Sequence, residues 1–139
     1  MSKSAICAML LIVSFFCASC EDDEVIPDTN LALVTLEDGK SLIFGQWYVY
    51  EPGDFGSDHY YPAEISETGI HCEDDVSDLY PFQATEWTKV STGIQADGYW
   101  RWDSDEQYPA SLVFTKILSR KLYITIRGNQ VYFTKDNNN

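Results

Sequence analysis

The chain has 139 residues, with 22 Asp or Glu against 9 Lys or Arg, which gives a formal net charge of −13. This length allows one modest domain. The charge argues against nucleic acid as the main partner and against attraction to an anionic membrane surface, because both depend on clustered basic side chains. The aromatic content of 14% is too high for a disordered acidic chain, which would lack large apolar groups.

The N-terminal segment has the pattern of a secretory signal. A lysine near the start supplies a short positive region, and the apolar run 5–17 follows it. The run is shorter than the roughly 20 residues that a transmembrane helix needs, and its length suits the apolar region of a signal peptide. Two small residues, Ala18 and Ser19, then lead into Cys20. The segment therefore predicts an exported protein.

The motif Cys17-Ala18-Ser19-Cys20 resembles the lipobox of bacterial lipoproteins, in which two small residues precede an acylated cysteine. The resemblance implies cleavage after Ser19 and lipid attachment at Cys20, so that acyl chains anchor the protein without a transmembrane helix. The family favours Leu where this chain has Cys17. The alternatives are a soluble secreted protein cut nearby and an uncleaved anchor.

An acidic run, Glu21-Asp22-Asp23-Glu24, directly follows Cys20. A run at that position resembles the surface-export signal of lipoproteins in Bacteroidota-type bacteria, which implies anchoring to the outer membrane and exposure at the cell surface. In enterobacteria an acidic residue there can instead imply retention at the inner membrane. A third interpretation is a solvated, self-repelling tether, which any block of like charge provides.

The chain therefore divides into three predicted parts. Residues 1–19 are the lipoprotein signal peptide, 20–30 are the lipidated cysteine and an acidic tether that contains Pro27, and 31–139 form the folded domain. After maturation, Cys72 is the one cysteine left in that domain. With no disulfide available, the domain must depend on its hydrophobic core.

The folded part has the pattern of an all-β domain. Short alternating apolar runs are separated by Gly, Pro, Asp and Asn, and no long stretch keeps a period of 3.6 residues. The pattern predicts strands over 31–36, 41–50, 59–66, 85–90, 97–103, 111–117, 121–127 and 130–135. About eight strands in this length predict a small antiparallel β-barrel or a β-sandwich.

The C-terminal strands form a predicted hairpin around the two-residue loop Gly128-Asn129, since Gly suits the first central position of such a turn. This loop pairs Ile126 with Val131 and places four apolar residues on one face: Ile124, Ile126, Val131 and Phe133.

The connection before that hairpin, around Ser119, leaves two alternatives. A two-residue loop would point Val113 and Ile117 inward, whereas a three-residue loop would point Leu112 and Phe114 inward.

The motif Gly45-Gln46-Trp47 lies in an apolar strand, where a glycine indicates a close approach by another group. It resembles the Gly-x-Trp motif of lipocalins and lipocalin-like bacterial lipoproteins. The resemblance implies an eight-stranded up-and-down barrel whose end Trp47 closes, with a basic side chain from a late strand packed over it. Arg127 is the residue predicted for that role, so Gly45, Trp47 and Arg127 form the predicted barrel closure. The alternative for Trp47 is a core residue of a β-sandwich.

Few residues suggest catalysis. His59 and His71 are the histidines of the chain, and no nucleophile elbow, phosphate loop or His-x-x-x-His pair accompanies them. On a strand, His71 and Cys72 would point to opposite faces. The stretches 71–78 and 103–106 are dense in metal-ligand types, since His and Cys suit zinc and clustered carboxylates suit calcium. Their spacing matches no known metal-binding loop, and solvated loops are the favoured interpretation. We therefore predict a non-catalytic protein without metal or cofactor.

Aromatic residues are the better candidates for a binding site. Trp100 and Trp102 share one face of a strand, and Tyr60 and Tyr61 begin another. Flat apolar area near polar groups is what a sugar or a hydrophobic ligand needs, although core packing is the alternative for both tryptophans. The predicted function is binding of a small hydrophobic or carbohydrate ligand at the barrel mouth. The alternative is a protein-interaction module, an inhibitor or an accessory subunit of a surface complex, because acidic surfaces attract basic partners.

Overall fold

The structure is a computed structural model that describes residues 25–51, 59–72, 81–103 and 106–137. Nine β-strands make up most of this described part of the chain. A short 3-10 helix (Leu31–Leu33) and the α-helix α1 (Leu36–Ile43) lie between the first two strands. The strands are β1 (Thr29–Asn30), β2 (Gly45–Glu51), β3 (His59–Ser66), β4 (Gly69–Cys72), β5 (Phe82–Val90), β6 (Gly93–Asp103), β7 (Glu106–Leu118), β8 (Lys121–Ile126) and β9 (Asn129–Thr134).

Strands β2 to β9 form a closed eight-stranded antiparallel barrel. Each strand pairs with the next in the chain, and β9 returns to pair with β2, so the barrel has up-and-down connectivity. The short β1 pairs with β7 outside this ring, through Thr29 opposite Ile117. The predicted all-β barrel is confirmed, and the sandwich alternative is wrong.

The segment before β2 is helical where the sequence predicted strand over 31–36 and from residue 41. Polar side chains begin both helices: Asn30 accepts a hydrogen bond from the Ala32 N–H at 3.0 Å, and Thr35 Oγ1 accepts one from the Asp38 N–H at 3.1 Å. Acidic residues in the first turn of α1 also favour a helix. The alternation of Leu and smaller residues over 31–36 therefore does not indicate a strand, and the strand prediction there is wrong.

These helices plug one end of the barrel, which we name the closed end. Leu31 and Ile43 are completely buried, and Lys89 Nζ donates a hydrogen bond to the Leu31 carbonyl oxygen at 2.7 Å. The hydrophobic core fills the barrel from there upward. Its largest fully buried side chains in the described residues are Trp47, Phe82, Phe114, Leu31, Ile43, Ile65, Ile94, Leu112, Ile117, Leu122 and Ile124.

The β8–β9 turn corrects the predicted register. The two-residue loop is Arg127-Gly128 rather than Gly128-Asn129, and Ile126 pairs with Asn129. Both loop residues have positive φ, 50° and 79°, as a type I′ turn requires. The pairing is displaced by two residues from the predicted one, so the four predicted apolar residues still face inward.

The β7–β8 connection combines the two predicted alternatives. Its loop has two residues, because Leu118 pairs with Lys121, and Ile117 is buried. A bulge between Phe114 and Lys116 then shifts the alternation by one residue, so Leu112 and Phe114 are buried as well.

Candidate functional site

Trp47 lies at the closed end and is completely buried. Its Nε1 donates a hydrogen bond to the Ile43 carbonyl oxygen at 2.7 Å, which joins β2 to α1. Lys135 Nζ lies 4.1 Å from the Trp47 ring centroid and donates to the Gln46 carbonyl oxygen at 2.6 Å. The cation over the ring is held in place by a backbone acceptor, so the closure is a built feature of the fold.

Two predictions about this closure need correction. Lys135, not Arg127, covers Trp47, because Arg127 lies beyond the far end of β9, a strand of about 20 Å. Gly45 is needed for its φ of 132°, not for a close approach, since a Cβ there would meet only Lys135 Nζ, at 3.7 Å.

The opposite end is the open end, at which β2, β4, β6 and β8 finish. Cross-strand pairing places Phe82, Trp100 and Tyr108 side by side on the inner wall. Phe82 is buried and its ring centroid lies 5.2 Å from that of Trp100, which is half-buried. Tyr108 is 39% exposed. The inner wall therefore becomes accessible to solvent toward β7.

A second accessible inner residue lies on β9, two strands further round the wall from Tyr108. Val131 pairs with Ile124, which is fully buried, so both face inward, yet Val131 is 40% exposed. Two further half-buried residues share the inner face, Tyr61 opposite Val49 and Cys72 opposite Ala63. We name the mouth the inward-facing residues of the open end: Tyr61, Cys72, Trp100, Tyr108, Ile126 and Val131.

The structure separates the four predicted ligand residues. Trp100 and Tyr61 lie in the mouth, whereas Tyr60 lies on the outer wall because neighbouring strand residues face opposite sides. The side chain of Trp102 lies outside what the structure describes. Sequence reasoning missed Tyr108, because the predicted strand began at residue 111 and β7 begins at Glu106.

Cys72 and the histidines do not form a nucleophile with its base. His71 is exposed on the outer face, while Cys72 points inward, and burial raises the pKa of the Cys72 thiol. His59 lies four residues before Ala63, the partner of Cys72, which is about 13 Å along β3. A protonated thiol that neither histidine faces is a small apolar lining group.

Other predicted sites fall largely or wholly beyond the described residues. These are Cys20 with its acidic run, the acidic stretch 73–78, and residues 104–105 of the stretch 103–106. Within the described ranges, no group of three or more His, Cys, Asp or Glu is placed to hold a metal ion.

The outer wall carries a row of stacked tyrosines across β3, β2, β9 and β8, which we name the tyrosine strip: Tyr60, Tyr50, Tyr132 and Tyr123. Successive ring centroids are 5.4, 5.5 and 5.9 Å apart. Lys121 Nζ lies 4.9 Å from the Tyr132 ring centroid, and Lys116 Nζ lies 4.9 Å from that of Tyr123. The strip is therefore aromatic at its middle and cationic on its β8 side.

Comparison with known proteins returns no match to a family model, to a curated protein or to a solved structure. Among the described residues, no helix has the length and apolar character needed to cross a membrane.

Proposed function

We propose that this protein binds a small hydrophobic or carbohydrate ligand, without catalysis, in the mouth of its barrel. One observation carries the proposal: Tyr108 and Val131 face the inside of the barrel, yet 39% and 40% of their surfaces are exposed. Inward-facing residues at the closed end, such as Trp47 and Ile94, are completely buried. Accessible apolar surface inside a barrel is what a ligand would cover.

The packed core limits what the mouth can hold. Phe82, Phe114 and Trp87 fill the barrel below the mouth, so a ligand would rest on them rather than enter a deep cavity. The rings of Trp100 and Tyr108 offer flat apolar area beside a polar hydroxyl group. A single sugar or aromatic ring suits this surface better than a long acyl chain.

Trp100→Ala should weaken binding of a mouth ligand at least about tenfold while the protein stays folded, because Trp100 is only half-buried. Fluorescence titration with N-phenyl-1-naphthylamine, and with a panel of mono- and trisaccharides as competitors, would measure the loss. Tyr132→Ala, on the outer wall, is the matched control and should leave binding unchanged. Equal affinity of Trp100→Ala and wild type for every probe would contradict binding in the mouth.

We also propose that lipid on Cys20 holds the domain at the cell envelope. The described chain enters the barrel alongside β7 near Ile117, at the closed end, where Asp28 also accepts a hydrogen bond from the Ser119 N–H at 2.9 Å. The mouth is at the other end, so a tether attached here would leave it uncovered.

Labelled palmitate should enter the wild-type protein and be absent from Cys20→Ala, because the thiol is the acceptor. Cells producing both proteins would be labelled, and the purified chains compared by autoradiography. Cys72→Ala is the matched control and should keep the label. Label retained in Cys20→Ala would contradict this anchor. In a separate experiment, protease added to intact cells would report whether the domain is exposed at the cell surface.

A protein-interaction module is the second candidate, and the tyrosine strip favours it. Aromatic residues are enriched in protein interfaces, and a partner with carboxylates would suit Lys116 and Lys121 beside the rings. The control above separates the two functions, because Tyr132→Ala changes the strip and Trp100→Ala changes the mouth.

A further inference from the structure

We propose that a groove on the outer wall, separate from the mouth, binds a neutral sugar ring. This outer groove runs over β5, β6 and β7 below the β8–β9 turn and has a volume of about 520 Å³. The side chains that the argument uses are Thr85, Asp97, Tyr99, Pro109, Ser111 and Arg127.

A carboxylate in fixed orientation lies in the outer groove. Ser111 Oγ donates to Asp97 Oδ1 at 2.6 Å, and Gln95 Nε2 donates to the same oxygen at 2.9 Å. Thr85 Oγ1 donates to the Asp97 backbone carbonyl oxygen at 3.0 Å, which ties β5 to this point. Both side-chain donors bind one carboxylate oxygen, so Oδ2 keeps its capacity to accept hydrogen bonds from a ligand.

A guanidinium faces that carboxylate across the outer groove. Because Leu112 pairs with Ile126, the next position places Arg127 beside Ser111, and Ser111 in turn pairs with Asp97. Two strand spacings separate the Cα atoms of Asp97 and Arg127 by about 10 Å. Among the described residues, Arg127 forms no ion pair or side-chain hydrogen bond, so its five donors remain available.

The turn itself gives no reason for an arginine at this position. Arg127 has a φ of 50°, a left-handed conformation in which Asn or Gly is favoured over residues with long side chains. The turn imposes this conformation on Arg127, as the β7–β8 turn does on Arg120, but Arg120 pairs with Asp136 whereas Arg127 forms no ion pair among the described residues. Together with the groove and the facing carboxylate, this indicates that the side chain of Arg127 serves a ligand rather than the fold.

The remaining wall of the outer groove is apolar. Tyr99 is 38% exposed and pairs with Pro109, so a ring and a pyrrolidine lie side by side. An aromatic face for the C–H side of a sugar, with an acceptor and a planar donor for its hydroxyl groups, is the chemistry of a saccharide subsite. The carboxylate of Asp97 opposes an anionic sugar, because like charges side by side are unfavourable, so the groove suits a neutral one.

Arg127→Asn tests the proposal without disturbing the fold, since Asn suits the left-handed turn position better than Arg. The purified full chain would be titrated by calorimetry and saturation-transfer NMR with methyl glucoside, methyl mannoside, maltotriose and galacturonate. We expect at least one neutral probe to bind the wild type, and Arg127→Asn and Asp97→Asn each to weaken it about tenfold or more. Ser119→Asn, which also places Asn at a left-handed turn position but at the closed end, should bind like the wild type.

Three results would overturn the proposal. The first is no binding of any neutral probe at about 10 mM, a concentration that would nearly saturate a site with a Kd of about 1 mM. The second is binding of galacturonate alone. The third is neutral-sugar binding that survives Arg127→Asn and is lost in Trp100→Ala, which would place the sugar in the mouth and leave the proposed function intact. Loss in Arg127→Asn with retention in Trp100→Ala supports the outer groove independently of the mouth.

Discussion

Trp47→Ala should lower the free energy of unfolding by about 3–5 kcal/mol, the range for removing a large aromatic side chain from a core. Trp47 is completely buried. Its indole N–H binds the last residue of α1, Ile43, and its ring lies under Lys135. Truncation would leave a cavity and would also remove the donor that holds the plug of the closed end against β2.

Urea unfolding followed by circular dichroism would measure this loss. Lys135→Met is the matched control, because it keeps an apolar chain of similar length but removes both the charge over the ring and the hydrogen bond to the Gln46 carbonyl oxygen; we expect a loss of about 1–2 kcal/mol. A loss below about 1 kcal/mol for Trp47→Ala itself would contradict the role of Trp47 as the closing residue. The two variants together separate the packing of the ring from the polar contacts of Lys135.

Strand alternation was sufficient to predict the class of fold, and it failed where the signal was not periodic. The inward faces of β8 and β9 were predicted from Ile124 and Phe133 although the loop was misplaced, because a displacement of two residues preserves the facing. The α1 helix was missed, although Thr35 followed by Glu37 and Asp38 is a helix-start signal. The apolar spacing of this segment fits a strand, whereas its capping residues favour the helix that forms.

The short β4 strand was also missed. It has four residues, too few for an alternating pattern to be read, and it depends on β3 and β5 for its hydrogen bonds. Its first residue, Gly69, has a φ of 129°. A glycine of this kind is visible in the sequence, but its conformation is set by the tight turn before it and by the strand that crosses beside it.

Some features of the candidate sites follow from strand alternation, and others do not. Placement of Trp100 on the inner face and Tyr99 on the outer face follows from alternation once β6 is known. The outer groove does not follow, since it needs the registers of β6, β7 and β8 together to bring Asp97, Ser111 and Arg127 into one row. Register is a property of strand pairs, and a single sequence determines it only where a turn fixes it. Because the turn was predicted at Gly128-Asn129 rather than at Arg127-Gly128, the position of Arg127 beside Ser111 could not be predicted.

Gly69→Ala should destabilise the barrel by at least about 3 kcal/mol, because the new methyl group adds a steric overlap to an unfavourable backbone conformation. A Cβ at Gly69 would lie 1.9 Å from the Phe82 carbonyl oxygen and 2.8 Å from the Ala84 backbone nitrogen. Neither is the end of a flexible side chain, so β5 itself would have to move. The β4–β5 ladder consists of only two pairs in the described residues, Gly69 with Gln83 and Ile70 with Phe82, and moving β5 would break both.

Gly128→Ala isolates the backbone contribution. Gly128 also has a positive φ, 79°, but a Cβ there meets nothing within 4 Å, so the cost is the left-handed conformation alone, about 1–2 kcal/mol. Thermal and urea unfolding of both variants should therefore differ by more than about 1 kcal/mol, with Gly69→Ala the less stable. Equal losses would mean that β5 yields freely to the methyl group. In that case the β4–β5 contact would be less rigid than its short distances imply. The stability of the barrel would then depend mainly on other strand pairs, such as β2–β9 and β7–β8.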